Sequence, residues 1–316
     1  MKTMLIDAMN IFVRSYVVNP TISEHGHYFG GSLGFLKSLG SYSRRFGPDR
    51  IIVIWEGGGS PRRRALLPDY KGNRKPVRLN RSDIYEDIPD TKENFNYQVA
   101  ATTRLLSFTP AEQLYVSDCE ADDVIGYLTK NLLEDQIIIA SSDKDFYQLL
   151  SDRVQMYSPT KKKIITAEDV TEEHQIHPIN FVTARCFVGD NSDNISGIRG
   201  VGLKTLAKRF PKLRNSQFVS CNDIINKCRE VPEAKRLKMH RSILENAEII
   251  RRNWKLMYLD ISNLSADQVL KIKNKVQYKA TKRDKLGMIR QLLNEGINMP
   301  RSFDPHKFFL DTTTVQ

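Results

Sequence analysis

QIIIASSDKD, residues 136–145, is an apolar run that ends in two aspartates, Asp143 and Asp145. A continuous apolar run of this kind is typical of a strand buried in a parallel sheet. Four further groups of acids nearly all follow such runs: Asp7 after MLI; Glu56 after IIVIW; Glu120, Asp122 and Asp123 after QLYVSDC; and Asp190 with Asp193 in GDNSDN. Because the carboxyl ends of parallel strands meet at one edge of an open sheet, we expect these acids to converge there.

So many carboxylates at one edge would repel each other by about 4 kcal/mol per close pair at an effective dielectric constant near 20. Divalent metal ions relieve such repulsion, and oxygen-only ligands favour Mg²⁺, for which Mn²⁺ is the usual substitute. Two such ions suit phosphodiester hydrolysis, since one activates a water and both stabilise the reacting oxygens. EADD at 120–123 on its own is equally well explained by N-capping of a helix. The five groups together predict a two-metal site.

Strand-like and helical segments alternate along the first part of the chain, which predicts an α/β fold with a central, mostly parallel sheet. The stretches VQMYS and KKIIT are expected to form an edge hairpin, and EADDVIGYLTKNLL a helix. From about Pro178 the pattern becomes helical, with one long amphipathic segment over 233–257 and a tail at the end. We therefore expect a metal-dependent nuclease domain over 1–180 and a helical DNA-binding domain with a C-terminal extension over 181–316.

Composition narrows the class of partner. The chain of 316 residues has 48 basic and 37 acidic residues, a net charge of +11, which suggests an anionic polymer. Its four cysteines form no C-x-x-C pair, so we expect buried free thiols rather than zinc ligands or disulfides. The six histidines are scattered and are expected to be structural. No signal peptide or membrane span is recognisable, which favours a cytoplasmic protein.

Residues 57–97 show neither a strand nor a helix period and are strongly basic. One interpretation is a solvated loop, the default for a long charged insertion. The other is an arch over the acidic edge that holds phosphates, and its position directly after a strand with a candidate ligand favours this one. The basic residues between 60 and 82 are Arg62, Arg63, Arg64, Lys71, Arg74, Lys75, Arg78 and Arg81, against the single acid Asp69.

NISGIRGVGLKTLAKRF, residues 194–210, predicts a helix–hairpin–helix motif. Its glycines, Gly197, Gly200 and Gly202, permit a tight hairpin and close approach of the backbone to a ligand. The helix that follows would present its N-terminal amides to a phosphate, and Lys204 and Lys208 would add charge. Such a motif holds a DNA backbone without recognising bases. A nucleotide-binding loop is disfavoured because the spacing G-x-x-x-x-G-K is absent.

Five motifs occur in one order: LIDAMN at 5–10, LLPDYKGNRK at 66–75, EADDVIGYL at 120–128, SSDKDFYQLL at 141–150 and GDNSDNISGIRGVGLKTL at 189–206. In them the chain resembles the flap endonuclease and 5′→3′ exonuclease family, especially its small phage members, including the phage ribonuclease H type. The resemblance covers about residues 1–210. It implies a Mg²⁺-dependent nuclease that acts at 5′ ends, 5′ flaps or RNA–DNA primer junctions and holds the single strand under an arch.

The resemblance also assigns roles to residues. Lys71 and Arg74 would stabilise the scissile phosphate, Tyr70 would stack on a base, and Asn10 and Arg14 would lie near the phosphate. The hairpin carbonyls would bind a monovalent cation, as in some relatives. The implied metal ligands, direct or through water, are Asp7, Glu120, Asp122, Asp123, Asp143, Asp145, Asp190 and Asp193. The expected catalytic residues are four of these ligands, Asp7, Glu120, Asp122 and Asp143, together with Lys71 and Arg74.

One departure leaves an alternative open. The family ends its second strand with Asp, whereas this chain has Glu56, which is one methylene longer and ligates metal directly or through water. The second hypothesis is a DNA-junction binding protein with weak or absent cleavage. A third hypothesis, a Toprim-type enzyme, is disfavoured because it gives no role to GIRGVG. A replication clamp or single-strand binding protein is a further expected partner. Phe308 and Phe309 are interpreted as tail packing rather than a clamp peptide, and the default oligomeric state is a monomer.

Overall fold

The computed structural model describes residues 1–80, 90–277 and 282–315. The strands are β1 Lys2–Asp7, β2 Arg50–Trp55, β3 Glu112–Tyr115, β4 Gln136–Ala140, β5 Val154–Ser158, β6 Lys163–Ile165, β7 Gly189–Asp190 and β8 Ile195–Ser196. The helices are α1 Ala8–Val18, α2 Gly30–Phe46, α3 Pro61–Leu66, α4 Lys92–Leu106, α5 Ala121–Tyr127, α6 Ala167–His174, α7 Pro178–Val188, α8 Leu203–Arg209, α9 Cys221–Glu230, α10 Lys238–Glu245, α11 Ala247–Met257, α12 Ala266–Gln277, α13 Lys285–Asn294 and α14 Pro305–Asp311.

A central sheet carries the fold, and its strand order is β3-β2-β1-β4-β5-β6. Neighbouring strands pair in parallel from β3 to β5, and only β6 runs antiparallel, as the edge hairpin with β5. The predicted α/β fold with a mostly parallel sheet is therefore confirmed. Because β3, β2, β1 and β4 are adjacent and parallel, the acids that follow them lie along one edge.

Both faces of the sheet are covered. Alternate residues of β2 point to opposite sides, since Ile52 belongs to one apolar core whereas Ile51 and Val53 belong to the other. Helices α5, α7, α9 and α11 contribute to the first core, and α1, α2, α4 and α13 to the second. All four cysteines are buried and free, as expected. No helix within the described ranges is long and apolar enough to cross a membrane.

Three predictions of secondary structure are wrong. The segment 233–257 is not one helix, since α10 ends at Glu245 and α11 begins at Ala247, and Leu237 is 42% exposed. The expected tail instead contains α14, whose Phe308 is buried against α2, which supports packing rather than a clamp peptide. The predicted arch has helical structure at both ends, in α3 and from Lys92 onward. Within it, Arg81 and the rest of 81–89 lie outside the described residues.

Candidate metal centre

The first acids of the site are placed by the ends of β1 and β4. Asp7 ends β1 and caps α1, because its Oδ1 accepts a hydrogen bond from the backbone N–H of Asn10 at 3.2 Å. Its Oδ2 accepts one from the hydroxyl of Ser141, which follows β4, at 2.8 Å. These two contacts fix the carboxylate at the sheet edge beside Asp143.

Helix α5 brings the next acids to the same place. Glu120 is its N-cap residue but makes no capping hydrogen bond with its own side chain, and Asp122 lies in the first turn. The capping acceptor is instead Glu56, whose Oε2 accepts from the backbone N–H of Ala121 at 3.3 Å. Glu56 thus lies beside Glu120 at the sheet edge, with one oxygen directed at the helix end.

A second group of acids lies next to the first. Asp145, Asp190 and Asp193 carry oxygen atoms that all lie within 4.8 Å of one another, a separation that one cation can span. The hairpin of β7 and β8 delivers the last two. A Cβ at Gly197 would lie 1.9 Å from the carbonyl oxygen of Val188, so only glycine lets this hairpin pack against the end of α7.

Burial, and to a lesser extent mutual repulsion, raises the pKa of these carboxylates. Burial and the charge of Asp143 raise the pKa of Asp145 to about 7, and burial together with Asp143 and Glu56 raises the pKa of Asp7 to about 7 despite two hydrogen bonds. The pKa of Asp122 is also raised well above its usual value by burial, Asp143 and Asp7. A divalent cation would relieve this repulsion, and the donor set is made of oxygen atoms only, so these residues fit a hard metal ion such as Mg²⁺.

Two basic side chains of the YKGNR segment reach into the cluster. The Nζ of Lys71 lies 2.8 Å from Glu120, and Arg74 donates to Asp193 at 2.6 Å. Lys71 adopts a left-handed backbone conformation, and its N–H donates to the carbonyl of Asp193 at 2.9 Å. The family resemblance assigns these two cations to the scissile phosphate, and in the structure they contact the acids.

The predicted stacking role of Tyr70 does not agree with its position. Its side chain is 6% exposed, and its hydroxyl contacts Glu120 at 3.0 Å and Asp193 at 3.1 Å. Burial and the charge of Glu120 raise the pKa of Tyr70, so the hydroxyl stays protonated and donates. Tyr70 joins the two groups of acids from inside, and its burial gives no support to a stacking role.

Arg63 is likewise unavailable to DNA. It is 2% exposed, and its guanidinium donates to both oxygens of Asp123, at 2.5 and 2.7 Å, and to Glu120 at 3.2 Å. Asn263 donates to Asp123 as well, at 2.9 Å. With both oxygens engaged, Asp123 is not expected to ligate metal directly. Burial opposes the charge of Arg63, but Asp123 and Glu120 outweigh it and raise the pKa of its guanidinium.

Sequence reasoning missed one cation of the site, Arg185. Its guanidinium contacts Asp190 at 2.5 Å and Asp145 at 3.3 Å. Burial acts to raise the pKa of Asp190, but hydrogen bonds from Ser192 and the charge of Arg185 outweigh it and lower that pKa. The available signal was the single charged residue of α7, which lies in its last turn, five positions before Asp190.

The remaining predicted contacts lie around the site. Arg14 is exposed on α1 and donates to Thr160, which in turn bonds Ser142 next to Asp143. Gly200 has φ of +80°, which favours glycine, whereas Gly202 is in an extended conformation that other residues also adopt. Of the predicted phosphate contacts, Arg64, Arg74, Lys75 and Arg78 in the arch segment and Lys204 and Lys208 on α8 are exposed, and Arg62 is half-buried.

Comparison with known proteins finds relatives over most of the chain. Residues 2–175 match the family model of the 5′-3′ exonuclease N-terminal resolvase-like domain. The 5′-3′ exonuclease of Bacillus subtilis is 30% identical, and the match covers 66% of this chain and 69% of the relative. The 5′-3′ exonuclease of Aquifex aeolicus is 26% identical, and the match covers 92% of this chain and 96% of the relative. The structure of a bacteriophage T5 flap endonuclease, solved with DNA and metal ions, superposes with a TM-score of 0.67 and 22% identity. The match covers 88% of this chain and 98% of the T5 chain, which shows a shared fold.

Proposed function

The chain belongs to the 5′-3′ exonuclease family, and we propose that it hydrolyses phosphodiester bonds at 5′ ends, 5′ flaps or RNA–DNA primer junctions with two Mg²⁺ ions. The observation that carries the proposal is the convergence of two adjacent acid groups on one sheet edge, with Lys71 and Arg74 directed at them. We further propose that residues 1–180 carry the chemistry and 181–316 hold the duplex. Cleavage of 5′-labelled flap, recessed-end and RNA–DNA substrates by the purified protein tests this and ranks the three activities.

In this proposal Asp7, Glu120, Asp122 and Asp143 hold one ion, and Asp145, Asp190 and Asp193 the other. Bound there, the ions would activate a water and neutralise charge on the phosphate. The side chains of the protein would position the scissile phosphate and neutralise its charge. Lys71 and Arg74 would exchange their carboxylate partners for the oxygens of the scissile phosphate, where charge-assisted hydrogen bonds are strongest.

A basic groove offers a path for the single strand. It has a volume of about 490 Å³ and begins at Arg74, next to the acids. Lys75, Arg78, Lys92 and the ring of Phe95 also line it. A groove that combines phosphate-binding cations with an aromatic ring is typical of single-strand binding, so we assign the 5′ strand to it.

The duplex would be held by the hairpin and α8, and this makes a prediction for Lys204. Because Lys204 is exposed on the first turn of α8, Lys204→Ala should weaken duplex binding for every sequence and reduce the slope of log affinity against log salt by about one. Fluorescence anisotropy over a salt series measures this. Lys307→Ala, an exposed lysine on α14, is the control; an unchanged slope in Lys204→Ala would contradict the assignment.

A second candidate function is junction binding with weak cleavage, and it is favoured by the use of Glu56 as the cap of α5. If the chain is a nuclease, Glu56→Asp should change the cleavage rate by at most about 100-fold, the upper end of what residues behind metal ligands contribute. A larger rise in cleavage with unchanged binding would support the binding protein. Single-turnover cleavage and anisotropy on one flap substrate separate the two functions.

A further inference from the structure

Three aromatic rings form a row beside the C-terminal end of α11, and none of them lines the groove described above. Trp254 stacks on Tyr258 with ring centroids 4.3 Å apart and planes 20° apart. Phe218 lies at the other side of the row, 5.9 Å from Trp254, and is 45% exposed. Trp254 and Tyr258 are half-buried, so the row remains open to solvent at this end.

The row borders a cavity of about 550 Å³, which Trp254 and Tyr258 line together with Arg62 and Lys255. Arg62 is fixed across it, because its guanidinium donates to the carbonyl oxygen of Lys255 at 3.0 Å. A third cation, Lys130, lies over the ring of Tyr258, with Nζ 4.2 Å from the ring centroid.

The charge around this cavity is predominantly positive. Asp260 is an acid near Tyr258 and Lys130, whereas the charged residues that line the cavity itself are the cations Arg62 and Lys255. Asp123, the acid that contacts the cavity residue Asn263, is already neutralised by Arg63. An anionic ligand with flat rings therefore matches both the charge and the shape of this surface.

We propose that this cavity binds single-stranded nucleic acid, with a base packed against the exposed side of the aromatic row and phosphates facing Arg62 and Lys255. Stacking does not depend on base identity, because every base has a π face, and the cations would add a salt-dependent contribution. The inference rests on the proposed nucleic-acid substrate, but it concerns a surface that the cleavage chemistry does not use.

The two tryptophans of the chain make the proposal directly measurable. Trp55 is 6% exposed and stacked on Phe35, so a ligand would reach only Trp254. In a Trp55→Phe variant, Trp254 is the single tryptophan, and EDTA prevents cleavage. A short oligothymidylate should quench its emission saturably, whereas a blunt duplex of equal length should not. Absence of quenching at concentrations where anisotropy shows bound oligothymidylate would overturn the proposal.

Variants test whether stacking contributes to affinity. Trp254→Ala should weaken oligothymidylate binding by about fivefold or more, the lower end for loss of one base–aromatic stack, and Trp254→Phe should retain most of it. Lys255→Ala should reduce the salt dependence of binding, and Lys37→Ala, an exposed lysine on α2, should not. Thermal melts of each variant verify that it is folded. Quenching by an acidic peptide as strong as by oligothymidylate would overturn the assignment to nucleic acid.

The outcome separates this proposal from the nuclease proposal. If wild type cuts flap substrates but oligothymidylate leaves Trp254 emission unchanged, the aromatic site is wrong and the nuclease stands. If Trp254 is quenched although no substrate is cut, the nuclease is wrong and the binding surface stands.

Discussion

Asp143→Asn should lower the rate of cleavage by more than about 100-fold, the upper end for residues that act from behind the metal ligands. Asp143 lies between the two acid groups, since its charge raises the pKa of Asp7, Asp122 and Asp145. The same substitution removes one negative charge that faces the phosphate, so binding of uncut DNA should stay equal or become tighter. Single-turnover cleavage and anisotropy measure the two effects separately.

The control for this prediction is Asp152→Asn, which removes an exposed aspartate outside the cluster. It should cleave and bind like wild type. Parallel loss of cleavage and binding in Asp143→Asn would indicate a structural defect. Undiminished cleavage would exclude Asp143 from the reacting centre.

Arg63→Ala should lower the free energy of unfolding by about 3–5 kcal/mol, the usual cost of removing one partner of a buried ion pair. The substitution leaves Asp123, which is 1% exposed, without its cation in the protein interior, and leaves the buried Glu120 with Lys71 as its remaining cation. Urea unfolding in EDTA measures the loss without a contribution from metal binding.

Arg64→Ala is the matched control, because it removes the neighbouring, exposed arginine of the same helix and should cost less than about 1 kcal/mol. Combining Arg63→Met with Asp123→Leu should restore much of the stability, since apolar residues often replace a buried pair well. A loss below about 1 kcal/mol in Arg63→Ala would contradict the buried ion pair.

The sheet and its acidic edge could be predicted because their signals are local. Apolar runs such as IIVIW report a strand buried on both faces, and the parallel topology then brings the acids that follow the strands together. We could also predict the edge hairpin of β5 and β6 and the free buried cysteines, since each depends on composition over a few residues.

The partners of charged side chains could not be predicted, because ion pairs form between distant segments. Arg63 stands between two other arginines, and nothing local shows that it alone faces inward to Asp123 of another helix. For the same reason Arg185 was missed and the burial of Tyr70 among the acids was not foreseen. The break between α10 and α11 at Asn246 was missed because the apolar spacing continues across it, although the helix does not.

The most direct test of the account is cleavage of one 5′-labelled flap duplex by wild type and Asp143→Asn, each with Mg²⁺ and with EDTA. We expect wild type to cut near the junction only with Mg²⁺, and Asp143→Asn to bind the duplex without cutting it. Binding without cleavage by wild type in Mg²⁺ would contradict the nuclease and support the junction-binding function, with Glu56 as the next residue to change.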